Sequence, residues 1–186
     1  MVEPRRIATR SAAQRMSTLL GEKNVGQKTV SYIIRGESKV VPKNQNNNDG
    51  PKITVMTDGI LLNILKQQDP MKFITEEKVH AIIFDEFHER GVTSDTALAL
   101  CRDIQSMIMA DENDDIFRII VMSATLLGDQ EEDSNNDEID ASEKLIQALG
   151  GKNNCDIITS SGRQYPVQIV YPTSKRAMIK IIFNNL

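Results

Sequence analysis

A short apolar run that ends in two acidic residues constrains the fold of this chain more than any other segment. Residues 81–84 (Ala-Ile-Ile-Phe) have the composition of a buried parallel strand, and Asp85 and Glu86 follow where that strand should end. In open α/β sheets, ligands bind in the crevice at the carboxyl ends of the strands. A carboxylate pair there is suited to hold Mg²⁺ and to orient a water molecule against a phosphate. The run therefore indicates nucleotide hydrolysis.

Strand-like and helix-like segments alternate along the chain. The helical apolar period predicts helices over residues 7–20, 60–65, 97–109 and 142–149, and the start of another over 177–183. Short runs rich in β-forming residues predict strands over residues 29–35, 52–56, 79–84, 117–122, 155–159 and 167–171. Strands that alternate with helices form βαβ units with right-handed crossovers. We therefore predict a three-layer α/β domain with a mainly parallel sheet.

Charge and composition limit the partners and the compartment. Eleven acids lie in two runs, residues 111–115 and 129–140, and without them the net charge of −4 becomes +7. This mildly basic remainder permits an anionic partner without requiring one. Cys101 and Cys155 form no disulfide framework or metal-binding pair, and Cys101 is predicted to be a buried free thiol. No segment reads as a signal peptide or a membrane span, so we expect a soluble intracellular protein without a membrane partner, in a compartment that the sequence does not specify.

Two polar clusters precede predicted helices and have both a structural and a functional interpretation. Glu3-Pro4-Arg5-Arg6 lies before the first helix, and Thr57-Asp58-Gly59 lies before the helix of residues 60–65. Proline near a helix start, solvated arginines and a Thr or Asp N-cap explain both clusters without any function. Exposed amide groups at a helix N-terminus, with arginines beside them, also form an anion site suited to nucleic-acid phosphates. The residues alone leave both interpretations open.

Two further features concern the histidine that follows the acidic pair. A zinc site is the rival chemistry for His88, but it has no second histidine at helical spacing, and the other histidine is His80. Zinc is therefore disfavoured. Ser123-Ala124-Thr125 follows another predicted buried strand, where a turn or helix cap is the default interpretation of such a tripeptide. If both strands end at one edge of the sheet, the hydroxyls of Ser123 and Thr125 are placed to hydrogen-bond His88.

The four polar clusters are residues 3–6, residues 57–59, the acidic pair with His88, and residues 123–125. Taken in order, they resemble motifs Ia, Ib, II and III of the DEAH-box helicases of superfamily 2, and in particular the HrpB-type helicases. Each motif is weak alone, but four in the right order are specific. The resemblance extends from residue 2 to about residue 171, and its support lies in residues 3–6, 35–38, 57–59, 84–90, 97–100, 123–125 and 162–167. It implies a RecA-like domain of the P-loop NTPase type, with residues 1–172 as a partial ATP-binding domain and residues 173–186 as a linker and the start of a second RecA-like lobe.

The resemblance also implies a role for each matched residue. In such helicases, which use ATP and Mg²⁺, Asp85 would engage Mg²⁺ through water and Glu86 would polarise the attacking water. His88 would link the acidic pair to Ser123 and Thr125 and so couple hydrolysis to movement between the two lobes. The residues that would line the RNA backbone are Arg5, Arg6, Thr57, Asp58 and Gly59.

Two parts of the family pattern do not occur in these 186 residues. The phosphate-binding sequence GxxxxGK[ST] is absent, and so are motifs IV to VI of the second lobe. We therefore predict a domain truncated at both ends, and we expect the isolated chain not to hydrolyse ATP. Three interpretations stay open: part of an ATP-dependent RNA helicase, a shortened module that binds RNA or a partner without hydrolysis, and a non-functional remnant.

Overall fold

The computed structural model describes residues 1–42, 50–67, 69–110, 117–124 and 143–160. The chain divides into two units, Met1–Cys155 and Asp156–Leu186. In the second unit the described residues, 156–160, form neither helix nor strand. Within the described ranges, no helix is both long enough and apolar enough to cross a membrane.

The first unit contains strands and helices in alternation. The strands are β1 (Val2–Glu3), β2 (Val30–Ile34), β3 (Glu37–Lys39), β4 (Ile53–Thr57), β5 (Ala81–Phe84) and β6 (Arg118–Val121). The helices are α1 (Arg6–Leu19), α2 (Asp58–Leu65), α3 (Pro70–Glu76) and α4 (Val92–Ala110). A 3₁₀ turn covers Phe87–Glu89, and residues 143–148 are also helical.

The six strands of the described residues form one sheet in the order β3-β2-β4-β1-β5-β6. Every pair is parallel except the β2–β3 hairpin, so the predicted mainly parallel sheet is confirmed. The register pairs Glu3 with Thr57, and Phe84 with both Val2 and Val121. Because these strands run in the same direction, the residues that follow β1, β4, β5 and β6 emerge at one edge of the sheet.

Apolar side chains cover both faces of the sheet, which confirms the predicted three layers. On one face, Val30, Tyr32 and Val55 pack against Ala13 of α1. On the other face, Phe84 packs in a larger cluster whose members come mainly from α2, α4 and the ends of the strands, including Leu61, Ala97, Cys101, Ile104 and Phe117. Cys101 is a buried free thiol, as predicted, and burial raises its pKa to about 12.

Four elements differ from the sequence prediction. One is strand β3, which was not predicted because its three residues, Glu-Ser-Lys, are polar and not β-forming. Strand β1 was not predicted, because two residues are too short to show an alternating pattern. Helix α3 was also missed, although Asp69 caps it by accepting from the Lys72 N–H at 3.4 Å and Pro70 opens it. The predicted strand over residues 155–159 is wrong, since those residues have no ladder partner within the described part of the chain and Ile158 is 95% exposed.

Two predicted elements lie outside the described residues: the strand over residues 167–171 and the helix over residues 177–183. Residue 142, the predicted start of the helix that the structure shows over residues 143–148, is also outside them.

Candidate active site

A tight turn joins β5 to α4 and carries the acidic pair; residues 85–90 are called the acidic turn below. The Asp85 N–H donates to the Val2 carbonyl at 3.0 Å, and the Phe87 N–H donates to the Met122 carbonyl at 3.0 Å. The Phe87 ring is buried edge-on against Phe84, with ring centroids 6.1 Å apart. Backbone and side-chain contacts thus hold the turn between the ends of β1 and β6.

Both ends of the acidic turn have left-handed backbone. Glu86 has φ 50° and Arg90 has φ 49°, and the 3₁₀ turn Phe87–Glu89 lies between them. For residues other than glycine this conformation costs about 1–2 kcal/mol each. The surrounding contacts must therefore offset a strained backbone, which is a common property of functional turns.

The histidine of the acidic turn contacts both the acidic pair and the segment after β6. The Ala124 N–H donates to His88 Nδ1 at 3.4 Å, and His88 Nε2 lies 3.3 Å from a Glu86 carboxylate oxygen. Because Nδ1 accepts a hydrogen bond, the neutral ring carries its proton on Nε2, where it faces Glu86. His88 thus contacts the Ser-Ala-Thr cluster through a backbone N–H, and Thr125 lies outside the described residues.

Glu3 is a buried acid that the sequence analysis did not assign to the acidic site. It ends β1, its residue is 3% exposed, and its side chain hydrogen-bonds Asp85. Burial, followed by the charge and hydrogen bond of Asp85 and the charge of Glu86, raises the pKa of Glu3 to about 7. The parallel pairing of β1 with β5 brings Glu3 to Asp85. Because strand β1 was not predicted, this contact could not be inferred from the sequence.

The raised pKa of Glu3 predicts a pH-dependent effect of the Glu3→Gln substitution. The folded protein holds this proton more tightly than the unfolded chain, so Glu3 lowers stability as pH rises from the unfolded pKa of 4.5 towards 7. Glutamine is neutral and can donate a hydrogen bond to Asp85, so it avoids that loss. We expect the gain in Tm of the variant to grow between about pH 4.5 and about pH 7 and to level off at higher pH, as measured by circular dichroism. A gain that does not change with pH would contradict this origin, and Glu76→Gln, at an exposed position on α3, is the control.

The two arginines of the first cluster lie at the start of α1. Arg5 is the N-cap residue of that helix and makes no side-chain cap, while Arg6 is exposed in its first turn. The Arg5 guanidinium instead reaches Glu89 of the acidic turn, with Nη2 at 2.9 Å from Oε1 and Nε at 3.2 Å from Oε2. A contact between the first cluster and the acidic turn therefore exists in this structure.

The second cluster connects α2 to α4. Thr57 is the N-cap residue of α2, but its buried side chain makes no cap, so the simple N-cap interpretation does not hold for it. The Asp58 carboxylate accepts from the Gly59 N–H at 2.6 Å and from the Ser94 hydroxyl at 3.0 Å. Asp58 thus has protein donors on both oxygens and fixes the start of α2 against the start of α4.

Comparison with known proteins identifies the class. The sequence model of the DEAD/DEAH box helicase family matches residues 1–134, and the chain belongs to this family. The resemblance inferred from the four motifs is thereby confirmed, and the sheet and its flanking helices are consistent with the RecA-like domain expected for it.

Individual relatives are named as ATP-dependent RNA helicases. The chain is 34% identical to HrpB of Escherichia coli over 171 residues, which is 92% of the chain and 17% of that protein. It is 36% identical to HrpA of Borreliella burgdorferi over 186 residues, covering 97% of the chain and 18% of that protein. Human DHX30 is 33% identical over 171 residues, or 11% of its length. The chain therefore spans less than a fifth of the length of these relatives.

Proposed function

We propose that this chain is part of the first RecA-like domain of an ATP-dependent RNA helicase, with residues 1–172 in that domain and residues 173–186 leading towards a second lobe. The observation that carries the proposal is the acidic turn, which lies where β1, β5 and β6 end and is bonded to the segments that follow β1 and β6. An acidic turn in contact with both segments suits a protein that couples nucleotide hydrolysis to nucleic-acid binding.

Within this proposal the acidic pair has two roles. Mg²⁺ in nucleotide sites takes one or two carboxylates and completes its shell with phosphate oxygens and water. The half-buried Asp85 carboxylate suits that chemistry, although no group of three or more metal-binding side chains occurs among the described residues. Glu86 is exposed and would polarise the attacking water. His88, with Ser123 and Thr125, would relay changes at Glu86 to the segment after β6.

The same proposal assigns the RNA path to the first two clusters. Arg5 and Arg6 are exposed cations at a helix N-terminus and would contact backbone phosphates. Gly59 lies in the first turn of α2, and the buried Thr57 and the bonded Asp58 would shape that turn rather than offer free side chains. Such contacts are independent of RNA sequence and weaken as salt rises.

Binding to single-stranded RNA tests this part of the proposal. We expect the chain to bind fluorescein-labelled oligouridine and oligoadenosine with similar affinity, and the Arg6→Gln variant to reduce the slope of log K against log salt by about 0.7. Fluorescence anisotropy at several salt concentrations measures both. Arg15→Gln, on the same helix two turns beyond the cluster, is the matched control. Absence of binding at low salt, or an equal loss in both variants, would contradict the assigned path.

A second candidate is a module that binds RNA without hydrolysing ATP. Catalysis of phosphoryl transfer depends on a phosphate-binding loop such as GxxxxGK[ST], so a protein without such a loop would bind RNA but not hydrolyse ATP. Salt-sensitive RNA binding by a protein that neither binds an ATP analogue nor hydrolyses ATP would support this candidate over the first.

A further inference from the structure

The ion pair between Arg5 and Glu89 joins the proposed RNA path to the acidic turn. Arg5 is 72% exposed and Glu89 is 31% exposed at their side chains, and two N–H···O contacts to different carboxylate oxygens link them. The residues are 84 positions apart, so the fold and not local sequence brings them together. The Nε–Nη2 edge of the guanidinium is therefore already occupied by a carboxylate.

A phosphate would compete for that occupied edge. The planar fork of arginine matches carboxylate and phosphate in the same two-contact geometry, so the two anions are alternatives. The Glu89 carboxylate also neutralises the arginine charge that would attract RNA. Ion pairs as exposed as this one are weak, so a phosphate of the RNA backbone, which carries one negative charge like the carboxylate, is able to compete for the same edge of the guanidinium.

Glu89 is also one of the contacts that hold the acidic turn. Its N–H donates to the Glu86 carbonyl at 3.0 Å, and it follows His88 directly. The left-handed ends of the turn favour relaxation once contacts are lost. Two ion pairs brace the turn from the side: Arg5 with Glu89, and Arg90 with Asp95 of α4 at 3.2 Å. When Glu89 is released, the turn loses its ion pair with Arg5, which is the contact from the proposed RNA path.

We propose that Glu89 occupies Arg5 when RNA is absent, and that an RNA phosphate displaces it and thereby loosens the turn that carries Glu86 and His88. Glu89 acts here as a positioning residue, since it reaches the reacting atoms only through the turn. The inference rests on the proposed function, because it assumes that Arg5 contacts RNA. It adds that the phosphate that binds Arg5 also releases the acidic turn, because it displaces Glu89.

RNA affinity gives the first test. Removing the competing carboxylate in Glu89→Gln is expected to tighten oligouridine binding by about two- to fivefold. The gain should vanish when Arg5 is already replaced by Gln, because there is then no guanidinium to release. Glu76→Gln removes the same charge from an exposed position on α3 and should leave affinity unchanged. Equal tightening in both single variants would overturn the inference, since net charge would then explain it.

The histidine ring signals give the second test, which a purely structural role would not satisfy. The chain has two histidines, so His80→Gln assigns both ring signals in the proton–carbon NMR spectrum. We expect oligouridine to shift the His88 signals of the wild-type chain and to leave His80 unmoved. Glu89→Gln and Arg5→Gln should show that shift without RNA, and RNA should add little to it.

The outcomes separate the two proposals. Failure of the wild-type chain to bind oligouridine would overturn the proposed RNA path and this inference with it. RNA binding that leaves the His88 signals in place, or variants whose RNA-free His88 signals match the wild type, would overturn this inference alone.

Discussion

Replacing Glu86 by Gln is expected to lower the RNA-stimulated ATPase rate of a protein that carries this segment by about 10²–10⁴-fold. Glutamine keeps the size and the hydrogen-bonding length of the side chain, but it cannot take a proton from the attacking water. Because the phosphate-binding sequence does not occur in these 186 residues, the assay requires a polypeptide that also contains one. Steady-state phosphate release with saturating RNA measures the effect.

Two controls separate lost chemistry from lost structure in that experiment. Glu76→Gln makes the same chemical change on α3 and should keep the wild-type rate. RNA affinity of the Glu86→Gln protein should stay within about twofold of the wild type, since Glu86 is exposed and is not in the proposed RNA path. A Glu86→Gln protein that retains more than about a tenth of the rate would refute the role assigned to Glu86.

Replacing Phe84 by Ala is expected to destabilise the protein by about 3–5 kcal/mol. The Phe84 residue is 1% exposed in the larger apolar cluster, so its removal leaves a cavity beneath the acidic turn. It also removes the edge-on contact that fixes Phe87. Urea unfolding followed by circular dichroism measures the loss of free energy.

A control on the neighbouring strand shows whether burial is the cause. Ile120 on β6 is 43% exposed, and Ile120→Ala should cost less than about 1 kcal/mol. Similar losses in the two variants would mean that the cluster around Phe84 is not packed as the structure shows.

Local sequence was sufficient to predict most of the elements. Helices α1, α2 and α4 were predicted from their apolar repeat, and strands β2, β4, β5 and β6 from short runs rich in β-forming residues. Strand β1 has two residues and owes its existence to its partners β4 and β5. Ile157 and Ile158 show the converse, since β-forming residues make no strand without a ladder partner.

The candidate site was predictable only where its residues are close in sequence. Asp85, Glu86 and His88 follow one another, so the strand before them was enough to indicate the chemistry. Their partners Glu3 and Glu89 were not assigned to the site, because Glu3 meets Asp85, and Glu89 meets Arg5, only through the folded sheet. A sequence pattern does not reveal a hydrogen bond between residues that are 82 positions apart, such as Glu3 and Asp85. The residue roles therefore stay proposals that the substitutions above address.

The left-handed backbone at Glu86 and Arg90 lowers the stability of the acidic turn, but the side chains at these two positions have roles that other residues could not fill. Glycine or asparagine would adopt φ near 50° at less cost than Glu86 or Arg90, so neither position is occupied by the residue that its backbone favours. Relieving that cost at Glu86 would remove the carboxylate, and relieving it at Arg90 would remove the cation that lies over the Phe87 ring and pairs with Asp95. A more thermostable form of this protein that keeps both side chains must therefore gain its stability at other positions.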